Sequence, residues 1–201
     1  MRLAARLGAY AGRRDVVVLA LPRGGVPVAS EVARALRAPL DVFLVRKLGV
    51  PFHRELAMGA IASGGVRVLN TAILEAFGIL TEAVDAVARE EEAELARREC
   101  LYRGDRAAPD VRGKVIVLVD DGLATGATMR AAVTALRRLG PARIVVAVPT
   151  ASAEACTEMA AAADEVVCAE TPEPFLAVGA SYEDFSETTD ADVRRLLAQA
   201  A

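Results

Sequence analysis

The chain has 201 residues, 54% of them hydrophobic and 25% charged, which fits one well-buried globular domain and excludes a disordered or low-complexity chain. A net charge of −3 argues against a nucleic-acid groove as the main function, and no apolar run approaches the roughly 20 residues that cross a bilayer. Cys100, Cys156 and Cys168 are widely separated and lack metal-ligand spacing, so reduced thiols and a cytoplasmic location are expected.

In chain order, the N-terminal MRLAARLGAYAGRR has no long apolar core or cleavage site and reads as a short first helix. Val16 to Leu21 reads as a strand, Val26 to Leu36 as a helix and Leu40 to Arg46 as a second strand. Gly49, Val50, Pro51, Phe52 and His53 form a loop, and Ala57 to Leu69 around Gly64-Gly65 reads as a β-hairpin. A long helix follows from about Thr81 to Leu101. Its run of Glu90, Glu91, Glu92, Glu94, Arg97, Arg98 and Glu99 is a solvated face, with Glu94 and Arg98 at i,i+4 spacing.

Tyr102 to Arg112, with Gly104 and Pro109, is a linker. Val115 to Val119 is apolar without polar alternation, the pattern of a strand covered on both faces of a parallel sheet. Gly126 to Leu139 reads as a helix closed by Gly140-Pro141, Arg143 to Pro149 as a strand, Ser152 to Ala162 as a helix and Glu165 to Cys168 as a last short strand. This alternation is the mark of a parallel α/β sheet.

The most specific chemistry lies at Val115 to Met129, VIVLVDDGLATGATM. Asp120 and Asp121 end an apolar strand, where open α/β sheets place ligands. Thr125, Gly126, Ala127 and Thr128 follow, small residues whose N–H groups can approach a phosphate at the positive end of a helix. A P-loop is excluded, because Gly126 is followed by Ala127 and Thr128 in place of Lys-Ser/Thr. A haloacid-dehalogenase-like phosphatase is excluded too, since its two aspartates stand one residue apart and these are adjacent. Alone, the string also fits an ordinary strand, turn and capped helix.

A second element, Leu21-Pro22-Arg23-Gly24-Gly25-Val26-Pro27, joins the first strand to its helix at the same sheet edge. Two glycines let backbone N–H groups come close to an anion, and Arg23 adds a fixed positive charge. Read alone it also fits a plain strand-to-helix turn. Arg46-Lys47 closes the second strand, either as a solvated basic end or as a further anion contact. His53, the only histidine, sits in the following loop, where a lone histidine is more often incidental than catalytic.

Together these elements resemble the type I phosphoribosyltransferases. The resemblance covers about Val16 to Cys168 and implies a parallel sheet flanked by helices, with a β-hairpin and flexible loop, an inserted long helix at about 81–101 and a small C-terminal hood at 169–201. All of it forms one domain over 1–201. It implies that Asp120 and Asp121 bind the ribose hydroxyls of phosphoribosyl pyrophosphate (PRPP) and meet Mg²⁺, and that Ala124, Thr125, Gly126, Ala127 and Thr128 cradle the 5'-phosphate. Arg23, Gly24, Gly25, Arg46 and Lys47 would bind pyrophosphate. Asp120, Asp121 and Lys47 would be catalytic, and Gly49 to Arg54 would be the flexible loop. The family's pyrophosphate loop often carries a cis non-proline peptide, for which Arg23–Gly24 is the candidate here.

The acceptor is less defined. Enzymes for 6-oxopurines carry an aspartate just before T-G, where this chain has Ala124, as adenine and orotate enzymes also lack it. In TPEPFLAVGASYEDF, Thr171 to Phe185, Phe175 is the candidate base-stacking residue; Tyr182 and Phe185 are further hood aromatics and Asp184 an exposed acid. The expected function is transfer of phosphoribose from PRPP to a nitrogenous base, with pyrophosphate released. The alternative is a non-catalytic PRPP- or nucleotide-binding regulator. A homodimer is implied by the resemblance, with no interface assignable.

Overall fold

The computed structural model describes residues 2–104 and 106–200. Five strands form one parallel sheet in the order β2-β1-β6-β7-β8. They are β1 (Val16–Ala20), β2 (Leu40–Val42), β6 (Val115–Val119), β7 (Arg143–Thr150) and β8 (Glu165–Glu170). Every residue of β1 and β6 is buried, the condition that their unbroken apolar sequences satisfy. Successive strand residues point to opposite faces. Thus Val16, Val18 and Ala20 enter one core with α2 (Gly25–Leu36) and α7 (Asp190–Gln199), while Val17 and Leu19 enter another with α5 (Ala127–Arg137) and α6 (Ala153–Ala160). The first helix, α1 (Arg2–Arg6), buries Leu3 on the α2 side.

The segment expected as one strand from Leu40 to Arg46 divides. Phe43 still donates its N–H to the Ala20 carbonyl, but Leu44 donates to Ser63 Oγ, and the chain passes into a second sheet. That sheet is antiparallel, ordered β3-β4-β5 from β3 (Val45–Val50), β4 (His53–Ala62) and β5 (Val66–Leu69). Val50 pairs with His53, so the loop expected over Gly49 to Arg54 is a two-residue turn at Pro51-Phe52. Proline first and a positive φ of 67° at Phe52 is the sequence of a type II turn.

A short α3 (Thr71–Ala76) buries no side chain, and α4 (Thr81–Arg103) extends the expected helix by one half-turn. On α4, Val84, Ala88, Leu95 and Tyr102 are buried, and the helix packs on β3, β4 and α7. Its last residue, Arg103, is sunk into the protein, donating to Asp41 Oδ2 at 2.9 Å and to the Val42 carbonyl at 2.7 Å. The inserted helix is thereby fastened to the end of β2. Cys156 on α6 and Cys168 on β8 form a disulfide, which corrects the expectation of reduced thiols, and Cys100 is free and exposed. Their spacing in the chain conceals that α6 lies against β8. Among the described residues no helix is long and apolar enough to cross a membrane.

Candidate functional site

The chain leaves β1 for β2 on one side and returns to β6 on the other, so the loops after β1 and β6 diverge at a switch point of strand order. Open α/β sheets form their ligand crevice at such a point. The two loops that the sequence singles out for anion chemistry meet there. Leu21 donates its N–H to the Val119 carbonyl at 2.9 Å, and Gly25 donates to Leu21 at 3.1 Å. A Cβ built on Gly24 would lie 2.0 Å from Asp121 Oδ2, and one on Gly25 would lie 2.8 Å from the Asp120 Cα. The Arg23-Gly24-Gly25 turn therefore lies directly on the acidic pair, at a separation only glycine allows. The cis peptide of this turn is Pro22–Arg23, one bond before the expected Arg23–Gly24.

Burial raises Asp120 to a pKa of about 8, with the neighbouring Asp121 charge adding to the effect, while its bond from the Asp121 N–H opposes it. Asp121 is raised as well, chiefly by burial. Two desolvated carboxylates side by side either hold a proton or require a cation. Among the described residues no group of three or more His, Cys, Asp and Glu side chains is gathered for a metal ion. A pair without further protein ligands fits Mg²⁺, which takes one or two carboxylates and completes its shell with substrate oxygens and water.

Beyond the pair, Gly126 adopts φ 66° as the residue before α5, while Ala124, Thr125, Ala127 and Thr128 are exposed. The first N–H groups of a helix lack intrahelical acceptors and carry its positive pole, so this turn presents donors to an anion. It is held from behind by α6: Ser152 Oγ donates to the Ala124 carbonyl at 3.2 Å, Arg130 pairs with Glu158 at 3.0 Å, and Met159 packs beneath Gly126.

The segment after β8 closes the site from above. Tyr182 donates its hydroxyl to the Asp121 carbonyl at 2.5 Å, and its ring packs against Phe185 at a tilt, with centroids 5.0 Å apart. Arg23 is ion-paired with Glu187. These side chains, with Gly24 and Asp121, line a cleft of about 560 Å³. Sequence reading gives Tyr182 only as a secondary aromatic and passes over Glu187, because both reach the site only through the path of the tail.

Other expected residues lie elsewhere. Arg46 donates to Glu91 Oε2 of α4 at 2.6 Å, and Lys47 donates to the Glu55 carbonyl at 3.2 Å. Both line a separate depression of about 1210 Å³ on the small sheet, together with His53, Phe77 and Glu91. Phe175 is half-buried and does not line the cleft, and Asp184 lies exposed on its rim.

A family model described as "Phosphoribosyl transferase domain" matches residues 54–182, which takes in the acidic pair, the turn before α5 and Tyr182, with Arg23 to Gly25 lying before it. Two Mycobacterium tuberculosis proteins, named "Putative phosphoribosyl transferase" MT0597 and Rv0571c, are each 49% identical over 199 residues, 99% of this chain. The chain spans 45% of the length of each. The crystal structure of TT1426 from Thermus thermophilus superposes with a TM-score of 0.86 at 46% identity, covering 99% of this chain and 94% of that one. On this likeness across nearly its whole length, the chain belongs to the phosphoribosyl transferase family.

Proposed function

We propose that the chain transfers phosphoribose from PRPP to a nitrogenous base, with Mg²⁺, releasing pyrophosphate. The observation that carries this reading is the contact between Gly24-Gly25 and Asp120-Asp121, which puts an anion turn and a carboxylate pair within one ligand's reach. PRPP has both features such a site asks for: phosphate groups at two ends and a diol between them.

In this reading the turn from Ala124 to Thr128 holds the 5'-phosphate through N–H groups and the α5 dipole. Asp120 and Asp121 accept from the ribose hydroxyls and fix the ring. Arg23 and the Gly24 and Gly25 N–H groups receive the diphosphate, stabilising charge that grows as its bond to C1 breaks. Asp120 and Asp121 would also hold Mg²⁺, which would supply positive charge to offset that of the diphosphate. C1 then carries oxocarbenium character, the acceptor nitrogen forms the new bond to it, and the proton that nitrogen gives up passes to the departing diphosphate or to water. The Tyr182–Phe185 pair at the cleft mouth faces the incoming base and limits water.

The direct test is pyrophosphate release from PRPP and Mg²⁺ over a panel of purine and pyrimidine bases. Release that depends on one base supports the transferase. The combined change Asp120→Asn and Asp121→Asn is expected to abolish PRPP binding in calorimetry while the circular dichroism spectrum stays native. Unchanged affinity would remove the assignment. A second reading, a non-catalytic PRPP- or nucleotide-binding regulator, draws on the engagement of Arg46 with Glu91 away from the cleft. PRPP binding without release for any base would favour it.

A further inference from the structure

We infer that Glu187 is an internal competitor for the anion that Arg23 binds, and that the strap carrying it sets the affinity of the cleft for a diphosphate. The inference rests on reading the cleft as a PRPP site and adds a determinant outside the two loops that define it. The strap is fixed at both ends. At one, the Tyr182 hydroxyl is bonded to the Asp121 carbonyl and its ring packs at a tilt against Phe185. At the other, Thr189 and Asp192 form a capping box at the start of α7, and Asp190 accepts from the Tyr102 hydroxyl at 2.6 Å.

Between these anchors Glu183 to Glu187 are exposed, and the Ser186 N–H reaches no farther than Asp184 Oδ1, at 2.9 Å. From the C-terminal end of this span Glu187 crosses the cleft to the Arg23 guanidinium. The carboxylate thus occupies the place where the proposed mechanism puts a diphosphate oxygen. The pair is weak by its surroundings, since the side chains of Arg23 and Glu187 are 38% and 76% exposed and water screens them. A diphosphate offers the same planar fork a bidentate contact with more negative charge than a single carboxylate, so it displaces the carboxylate. Glu183 and Asp184 on the strap add negative charge that opposes an anion until the exchange is made.

The test is titration calorimetry of the full chain with three probes in Mg²⁺: PRPP, inorganic pyrophosphate and ribose 5-phosphate. Glu187→Gln is expected to lower Kd for PRPP and for pyrophosphate by about two- to fivefold, the range an exposed ion pair supplies. Ribose 5-phosphate, which lacks the diphosphate, is expected to bind both proteins equally, and Glu187→Asp to stay near the parent. Weaker binding of PRPP by Glu187→Gln would make Glu187 a support for Arg23 and overturn the inference. So would equal binding of PRPP, or tightening of all three probes alike. Failure of the parent protein to bind PRPP at all would instead remove the PRPP reading itself, and the inference with it.

Discussion

At Gly24 a single added carbon would stand 2.0 Å from Asp121 Oδ2; the turn is tied to β6 through Leu21 and the Asp121 main chain is held by Tyr182, so the carboxylate is the part that must move. Gly24→Ala is therefore expected to push the Asp121 carboxylate aside. Overpacking of this kind costs about 1–3 kcal/mol. Thermal denaturation should show a lowered Tm, and PRPP affinity should fall at least about tenfold, since 1.4 kcal/mol of lost contact corresponds to that factor. Native affinity in this variant would mean that the turn and the pair do not share a ligand. The residues of this contact were legible in the chain because each half is contiguous: five apolar residues, two acids and T-G-A-T in one, Arg-Gly-Gly in the other. The partners of Arg23 and Arg46 were not. Glu187 stands 164 residues from Arg23 and Glu91 stands 45 from Arg46, and nothing local to either arginine marks its carboxylate.

Among the elements, α7 carries the clearest local signal. Thr189 accepts from the Asp192 N–H and Asp192 reaches back to the Thr189 N–H, a reciprocal cap preceding Val193, Leu196 and Leu197 on one face. Thr-x-x-Asp before apolar residues at i, i+3 and i+4 is a legible helix start, although the expected hood had no helix assigned within it. Thr189→Ala is expected to cost about 1 kcal/mol in urea denaturation. Thr189 and Arg195 hold the Asp192 carboxyl down to a pKa of about 2. A carboxyl depressed on folding lends stability above its unfolded pKa of about 4 and loses it as pH falls through the folded value. The gap in Tm between the parent and Asp192→Asn should accordingly be open at neutral pH and close between about pH 4 and pH 2. A gap that persists in acid would exclude the charge as its origin. By contrast, α3 leans on the core only through the half-buried Ile73 and Leu74, and the division of Leu40 to Arg46 between two sheets follows from pairing with Ala20 and Ser63, which an apolar run cannot announce.

For the molecule as a whole, one sheet feeds two cores through alternate residues of each strand, so neither core persists without the other. Unfolding is expected to be a single transition. The chain has no tryptophan; Tyr10 and Tyr102 are buried in the core of α2 and α7, and Tyr182 packs against it. Tyrosine fluorescence thus reports one face of the sheet, while far-ultraviolet circular dichroism reports both. Coincident urea midpoints are the expected result, and separated midpoints would mean that the layer of α5 and α6 melts alone. The α/β class was visible in the alternation of patterns, whereas the attachment of the small sheet was not, because it depends on packing against both α4 and α5. The helix α4 has 23 residues and is about 35 Å long. It grips β3 through Glu91 and Arg46, the end of β2 through Arg103, and the start of α7 through Tyr102. One beam thus carries three fastenings: the small sheet at its middle, and the edge strand of the parallel sheet together with the tail over the cleft at its C-terminal end.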